Sequence, residues 1–294
     1  MDVVVFGAGS LGSLLGGLLA REHAVTLVGR EEHVRAVRED GLRITGEIDD
    51  VVRPQASTTV PDATDLAIVT VKAYDTPAAV EALSGCDCDG VLSLQNGMGN
   101  EERLAALDTD ILAGTATYGA IQAEPGGVRC TGRGEVVLGP PDDGQSALAD
   151  RIGDAFREAG IETTVAADMP RRLWEKLAVN AGINATTALA RVPNGALADP
   201  PLAEVARRAA RETARVARER GVDLSEDDAI AALESVVEAT ADNESSMYRD
   251  VQAGRRTEVD AINGYVADSD VDTPVNDMLA ALLGGWERER NLRD

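Results

Sequence analysis

An apolar run, Asp2-Val3-Val4-Val5-Phe6, passes directly into Gly7-Ala8-Gly9-Ser10-Leu11-Gly12, and Leu14, Leu15, Leu18 and Leu19 follow at helical spacing. Strand, glycine turn and helix in this order open a βαβ unit and commit the first part of the chain to an α/β layout. In such a turn Gly7 permits the sharp reversal, Gly9 lets a pyrophosphate approach the backbone, and Gly12 lets the helix pack closely on the strand. The phosphates then sit on the unpaired N–H groups of the helix N-terminus. The whole run Gly7, Ala8, Gly9, Ser10, Leu11 and Gly12 is therefore the candidate cofactor-binding turn, because its place between strand and helix is what separates this pattern from a chance G-x-G-x-x-G.

The next strand, Ala24-Val25-Thr26-Leu27-Val28, runs into Gly29-Arg30. An acid at this point would bind a ribose 2′-hydroxyl, whereas an arginine suits a 2′-phosphate, so Arg30 points to NADP, with NAD as the alternative. Glu31 and Glu32 would repel that phosphate if turned inward, or complement the dipole of a helix that starts there. Leu42 to Val52 reads as a strand-turn-strand excursion. Asp65 to Val71 is a further buried strand with Lys72-Ala73-Tyr74 at its carboxyl end, where open α/β sheets take ligands. Val91-Leu92-Ser93-Leu94 repeats the arrangement and leads into Gln95-Asn96-Gly97-Met98-Gly99. Asn96 there either presents its amide to a nicotinamide or takes the left-handed conformation of a turn.

After Ile111, short alternating runs with Gly126-Gly127 and Gly132-Arg133-Gly134 predict antiparallel strands through Val136-Val137-Leu138. A helix near 145–159 and a strand near 161–166 close this half, and Asp168-Met169-Pro170 marks a boundary. Beyond it the periodicity predicts helices at 202–220, 226–241, 245–267 and 274–290. The fold class is α/β: a Rossmann-type dinucleotide-binding domain over 1–167, then an all-α domain over 168–294. Arg208, Arg211, Arg215 and Arg218 share one helix face, which either attracts an anion or is a solvated face paired with Glu204, Glu212 and Glu219.

The 294 residues carry 51 acids against 28 bases, a formal charge of −23, which argues against nucleic acid and against anionic membranes as partners. The acids are spread along the whole chain, the pattern of a globular surface adapted to high salt. No apolar run is long enough to span a membrane and no basic leader precedes Asp2, so a cytoplasmic location is expected. Cys86, Cys88 and Cys130 are too few and irregular for a disulfide framework or a four-ligand zinc site, and Cys86-Asp87-Cys88 reads as a loop before a strand. No His/Asp/Glu cluster has metal-ligand spacing, so no metal is expected.

Only Lys72 and Lys176 among the basic residues are lysine; the others are arginine. Lysine can give up its proton where arginine does not. Lys176 lies in Trp174-Glu175-Lys176-Leu177-Ala178-Val179-Asn180-Ala181-Gly182-Ile183-Asn184. Read as a helix, this stretch puts Lys176, Asn180 and Asn184 on one face at i, i+4 and i+8. A polar stripe on an apolar helix is satisfied either by a neighbouring helix or by a ligand.

With the glycine turn, Lys72, Asn96-Gly97-Met98-Gly99 and Lys176-x3-Asn180-x3-Asn184 in place, the chain resembles the ketopantoate reductase (2-dehydropantoate 2-reductase) family. The run Asn243-Glu244-Ser245-Ser246-Met247, then Thr257-Glu258-Val259-Asp260, Asn263-Gly264 and Thr273-Pro274-Val275-Asn276, is similar to that family's second signature. The resemblance covers essentially the full length. It implies NADPH-dependent reduction of 2-dehydropantoate to pantoate on the route to pantothenate and coenzyme A. It also implies Lys176 as general acid, with Asn180, Asn184, Asn194, Asn243 and Ser246 holding the substrate. Glu258 would act near Lys176 and the cofactor ribose, while Lys72, Asn96 and Ala120 would flank the cofactor.

The chemistry of the residues agrees, since hydride addition to a ketone creates an alkoxide that needs a positioned acid. His23 and His33 both fall in the nucleotide-binding half, which leaves the lysine. The segment Tyr265–Asp272 is shorter than the family pattern, a departure expected to alter a helix end and the surface of a homodimer more than the chemistry. Two other readings stand beside this one: an NAD(P)-dependent oxidoreductase of another 2-oxo or 3-hydroxy acid, and a non-catalytic NADPH-sensing module.

Overall fold

The computed structural model describes residues 1–293, Ala123 through its backbone only. Two compact units divide the chain, Met1–Gln95 with Asn100–Met169, and Asn96–Gly99 with Pro170 onwards.

Val3, Val4 and Val5 are all buried, as are Leu66, Ala67, Ile68 and Val69, because helices cover both faces of the sheet they belong to. That eight-stranded sheet has the order Thr163–Val165, Val136–Gly139, Asp110–Ala116, Gly90–Ser93, Leu66–Val69, Asp2–Phe6, Ala24–Val28, Gln55–Ser57. Asp2–Phe6 runs parallel to both its neighbours, with Phe6 opposite Val28 on one side and Val69 on the other. Only the step from Asp110–Ala116 to Val136–Gly139 is antiparallel. The helix Ser10–Leu19 is apolar nearly all round, and Leu14, Leu15, Leu18 and Leu19 are all buried. Ser146 caps the helix Ala147–Glu158 by accepting from Ala149 N–H at 3.2 Å.

The excursion at 42–52 and two of the strands after 111 turn out to be one structure, while Val136–Gly139 belongs to the main sheet. Leu42–Gly46 and Asp50–Val52 form a hairpin, and Gly127–Gly132 adds to it in parallel, with Gly119–Glu124 beyond, giving a second sheet of four strands. Ile44, Leu42 and Val52 lie close beside Gly17 of the helix Ser10–Leu19, so this small sheet covers the helix that follows the glycine turn. Asp87–Cys88, expected as loop, pairs as a two-residue strand with Ala63–Thr64.

The second unit is built around the 22-residue helix Met169–Ala190. Leu177, Ala178, Ala181 and Ile183 pack with Ala206, Ala209, Ala210, Leu233 and Leu279 from the surrounding helices. Small residues set the spacing: a Cβ on Gly182 would lie 2.9 Å from the Ala206 carbonyl oxygen. The helices Leu202–Glu219, Glu226–Ala239 and Pro274–Arg288 match the periodicity. The stretch at 245–267 does not form one helix. Ser246–Gln252 stops at Gly254 (φ 63°), where Arg255 N–H returns to the Asp250 carbonyl at 2.8 Å, and helical turns resume only at Val259–Ala261 and Asn263–Ala267.

The arginine row on Leu202–Glu219 meets partners other than those expected. Arg218 pairs with Glu226 at 3.1 Å and Arg215 donates to the Asp272 carbonyl at 3.3 Å. Glu212 turns inward instead, accepting from the N–H groups of Val275 (3.1 Å) and Asn276 (2.9 Å) and from the Asn276 side chain (2.8 Å). It thereby caps the N-terminus of Pro274–Arg288 from another helix, a use of a carboxylate that the helix dipole favours. Among the described residues no helix is long and apolar enough to cross a membrane.

Candidate active site

The chain leaves Asp2–Phe6 for one side of the sheet and later returns on the other, so the carboxyl ends of Phe6 and Val69 form the topological switch point. Gly7 lies there at φ 109°, and its N–H and that of Ala8 both donate to the Val28 carbonyl, at 3.0 and 2.9 Å. A Cβ on Gly12 would fall 2.3 Å from the Gly7 carbonyl oxygen and 2.4 Å from Thr70 Oγ1, so its smallness serves the protein's own packing. Gly9 differs: a Cβ there would meet nothing nearer than 3.9 Å. The helix Ser10–Leu19 has no side-chain cap at its N-terminus, so its first N–H groups face that same open space. The space and the donors fit a pyrophosphate.

The two glycines therefore predict opposite phenotypes. Gly12→Ala is expected to lower stability by about 1–3 kcal/mol through overpacking. Gly9→Ala is expected to leave stability within about 0.5 kcal/mol while weakening dinucleotide affinity about tenfold. Thermal melts and cofactor titrations of the two variants check this; equal losses of stability would contradict the assignment of Gly9 to the ligand.

A clasp that the sequence reading missed holds the turn. Gln122 N–H donates to Ser10 Oγ at 3.0 Å and Gln122 Nε2 to the Ala8 carbonyl at 3.1 Å. The same Nε2 lies 2.7 Å from His33 Nδ1, which also accepts from Gly126 N–H at 3.0 Å. With Nδ1 accepting, the ring proton sits on Nε2, 3.1 Å from Ser13 Oγ. Burial pushes the His33 imidazole below its ordinary pKa, which keeps it neutral in this role.

Arg30 stands at the N-cap of Glu31–Asp40, exposed and, among the described residues, without an ion-pair partner. Glu31 and Glu32 are exposed in the first helical turn, where they complement the dipole. Lys72 is half-buried just beyond Leu66–Val69 and ahead of the turn Ala73–Asp75. Gln95 Nε2 steadies this region by donating to the Val71 carbonyl (3.1 Å) and to Thr76 Oγ1 (2.8 Å), which in turn bonds Asn100. Ala120 lies on Gly119–Glu124, packed against the core of the first unit.

In the second unit, Lys176, Asn180 and Asn184 lie along Met169–Ala190, the first two half-buried and Asn184 buried. Among the described residues neither amide side chain has a hydrogen-bond partner, so no polar contact with a neighbouring helix accounts for them. Asn194 and Asn243 come together through Asn194 N–H to the Asn243 carbonyl at 2.9 Å. Asn194 Nδ2 is committed to Thr240 Oγ1 at 2.9 Å, and its buried Oδ1 is left without a donor among the described residues. Ser245, not Ser246, caps the helix Ser246–Gln252, accepting from Tyr248 N–H at 3.1 Å and meeting Thr187 Oγ1 at 2.8 Å. Ser246 is exposed as a result.

Asn96–Gly99 also belongs to this unit. Gly97 takes the left-handed conformation (φ 78°) and presses on Ala261, and Met98 N–H donates to the Ala261 carbonyl at 3.0 Å. Because Gly97 carries the turn, the Asn96 amide is left for Glu258 Oε2, 3.5 Å away. Glu258 itself is buried. Among the described residues, no group of three or more His, Cys, Asp or Glu side chains is placed to hold a metal ion.

A fingerprint turn at the switch point of a doubly wound sheet, followed by a helical unit with a row of polar side chains, defines a dinucleotide-binding oxidoreductase. Residues 3–143 match the family model described as ketopantoate reductase PanE/ApbA, and residues 168–287 match its C-terminal counterpart. The chain is 48% identical to the 2-dehydropantoate 2-reductase of Halobacterium salinarum, over 98% of this chain and all of that one. Among solved structures it is similar to the PanE/ApbA family ketopantoate reductase of Ralstonia eutropha (32% identity, TM-score 0.90, 99% and 100% of the two chains covered). It is also similar to D-mandelate dehydrogenase in a ternary structure with NADH and anilino(oxo)acetate (27% identity, TM-score 0.93, both chains fully covered). The chain belongs to the ketopantoate reductase family.

Proposed function

We propose that this chain reduces 2-dehydropantoate to pantoate with NADPH, as a cytoplasmic step toward pantothenate and coenzyme A. The observation that carries the proposal is the row of Lys176, Asn180 and Asn184 along one helix, with both amides unengaged by other described residues. A carboxylate with a neighbouring keto group is the kind of ligand a cation and two amides recognise. The first unit would bind the dinucleotide through Gly7 to Gly12, Arg30, Lys72 and Ala120. The second would bind the substrate through Asn180, Asn184, Asn194, Asn243 and Ser246, with Asn96 and Glu258 beside the cofactor.

The bound nicotinamide would supply the hydride. When it adds to the keto carbon, the C=O π pair moves to oxygen, and Lys176 gives that oxygen a proton and becomes the neutral amine. The amides hold the carboxylate, so orientation is set before the charge develops. Glu258 lies in the same unit as Lys176.

For the cofactor, Arg30 supports NADPH, while the NADH bound in the D-mandelate dehydrogenase structure supports keeping NADH as an alternative. That same likeness favours one second reading, reduction of an aryl 2-oxo acid. Product analysis separates the two: the expected result is one pantoate formed per NADPH oxidised. NADPH binding without any oxidation in the presence of 2-oxo acids would instead indicate a sensing module.

A further inference from the structure

The carboxylate assigned to the site, Glu258, lies between two residues that other groups hold in place. Thr257 is fixed first: its N–H and its hydroxyl donate to Glu287 Oε1 at 2.7 and 2.6 Å. Asp260 is fixed second, by Arg293 Nη2, which lies 2.8 Å from both of its carboxylate oxygens. Arg293 joins the two anchors, because its Nη1 donates to Glu287 Oε2 at 3.2 Å.

The backbone explains how Arg293 arrives there. The helix Pro274–Arg288 ends in a reversal in which Asn291 takes φ 54°, Asn291 N–H reaches the Arg288 carbonyl and Leu292 N–H reaches that of Glu287, each at 3.0 Å. The chain doubles back and lays the guanidinium over Gly284, where a Cβ would stand 3.2 Å from Arg293 Nη1.

Glu287 is fully buried. A buried ion pair is a weak way to gain stability, since apolar side chains of similar volume generally serve as well or better. What it does supply is position: three donors on one carboxylate fix the turn on one side of Glu258, and a single arginine nitrogen shared by both Asp260 oxygens fixes it on the other. We propose that Arg293 and Glu287 are positioning residues that set the Glu258 carboxylate for the reaction. This rests on the reading of Glu258 as a site residue.

A double-mutant cycle in the full chain tests it. Arg293→Ala is expected to lower kcat about tenfold in the otherwise unaltered protein and by less than about twofold in a Glu258→Gln background, because the carboxylate it positions is then already gone. An equal loss in both backgrounds, or no loss in the first, would overturn the proposal. Glu258→Gln alone with kcat unchanged would instead remove the underlying reading. If Arg293→Ala does not fold, Thr257→Val replaces it in the cycle, with Thr257→Ser expected to restore turnover; failure of the serine to restore it counts against positioning.

Discussion

Lys176→Ala is expected to lower kcat by about 10²–10⁴-fold while leaving dinucleotide affinity within about twofold. The size follows from the proposed chemistry. An alkoxide forming on the keto carbon must take up a proton, and the second unit offers no histidine for the purpose, since His23 and His33 both lie in the first unit. His33 is besides committed to the clasp on the glycine turn. The split between turnover and affinity follows from the architecture, because the groups assigned to the cofactor phosphates are in the first unit. Steady-state rates and a fluorescence titration with NADPH measure the two effects separately. Near-normal turnover in this variant would count decisively against Lys176 as the acid.

Arg30→Asp is expected to raise the KM for NADPH by about 10²-fold and to leave that for NADH unchanged or lowered. Loss of a charge-assisted hydrogen bond costs about 1.5–3 kcal/mol, and an acid at the same point adds repulsion against a 2′-phosphate while accepting from a 2′-hydroxyl. Glu31 and Glu32, exposed in the adjoining helical turn, would strengthen that repulsion. Paired NADPH and NADH titrations check it, and an unchanged NADPH KM would mean that Arg30 does not meet the phosphate.

The parts of this molecule that could be read in advance are those where neighbours in sequence are neighbours in space. Val3 to Leu19 spell out strand, turn and helix because their packing is local, and Lys176, Asn180 and Asn184 share a face by helical spacing alone. The joining of Leu42–Gly46 to Gly127–Gly132 had no such signal, because its register is set between segments far apart in the chain. The same is true of Gln122 on His33 and of Asn96–Gly99 on the turn at Ala261.

Charge alone does not place the buried acids. Glu212 reads as a possible partner on a solvated face, yet it is buried and caps a helix N-terminus, and Glu287, which carries no signal in the sequence, is buried and gathers Thr257 and Arg293. An acid turns inward when several donors converge on it, and that convergence is a property of the fold. Ser245 and Ser246 show the same limit at one residue's resolution: adjacent serines are alike in sequence, and the bonds of Ser245 to Tyr248 N–H and to Thr187 separate the structural hydroxyl from the exposed one.

The most direct test of the proposed activity is the ratio of kcat/KM for 2-dehydropantoate to that for phenylglyoxylate, measured on the unaltered protein with NADPH. The expected result is a preference for 2-dehydropantoate of at least about 10²-fold, or ~2.7 kcal/mol of differential transition-state binding. A ratio near one, or a preference for the aryl acid, would contradict the assignment of 2-dehydropantoate as the substrate.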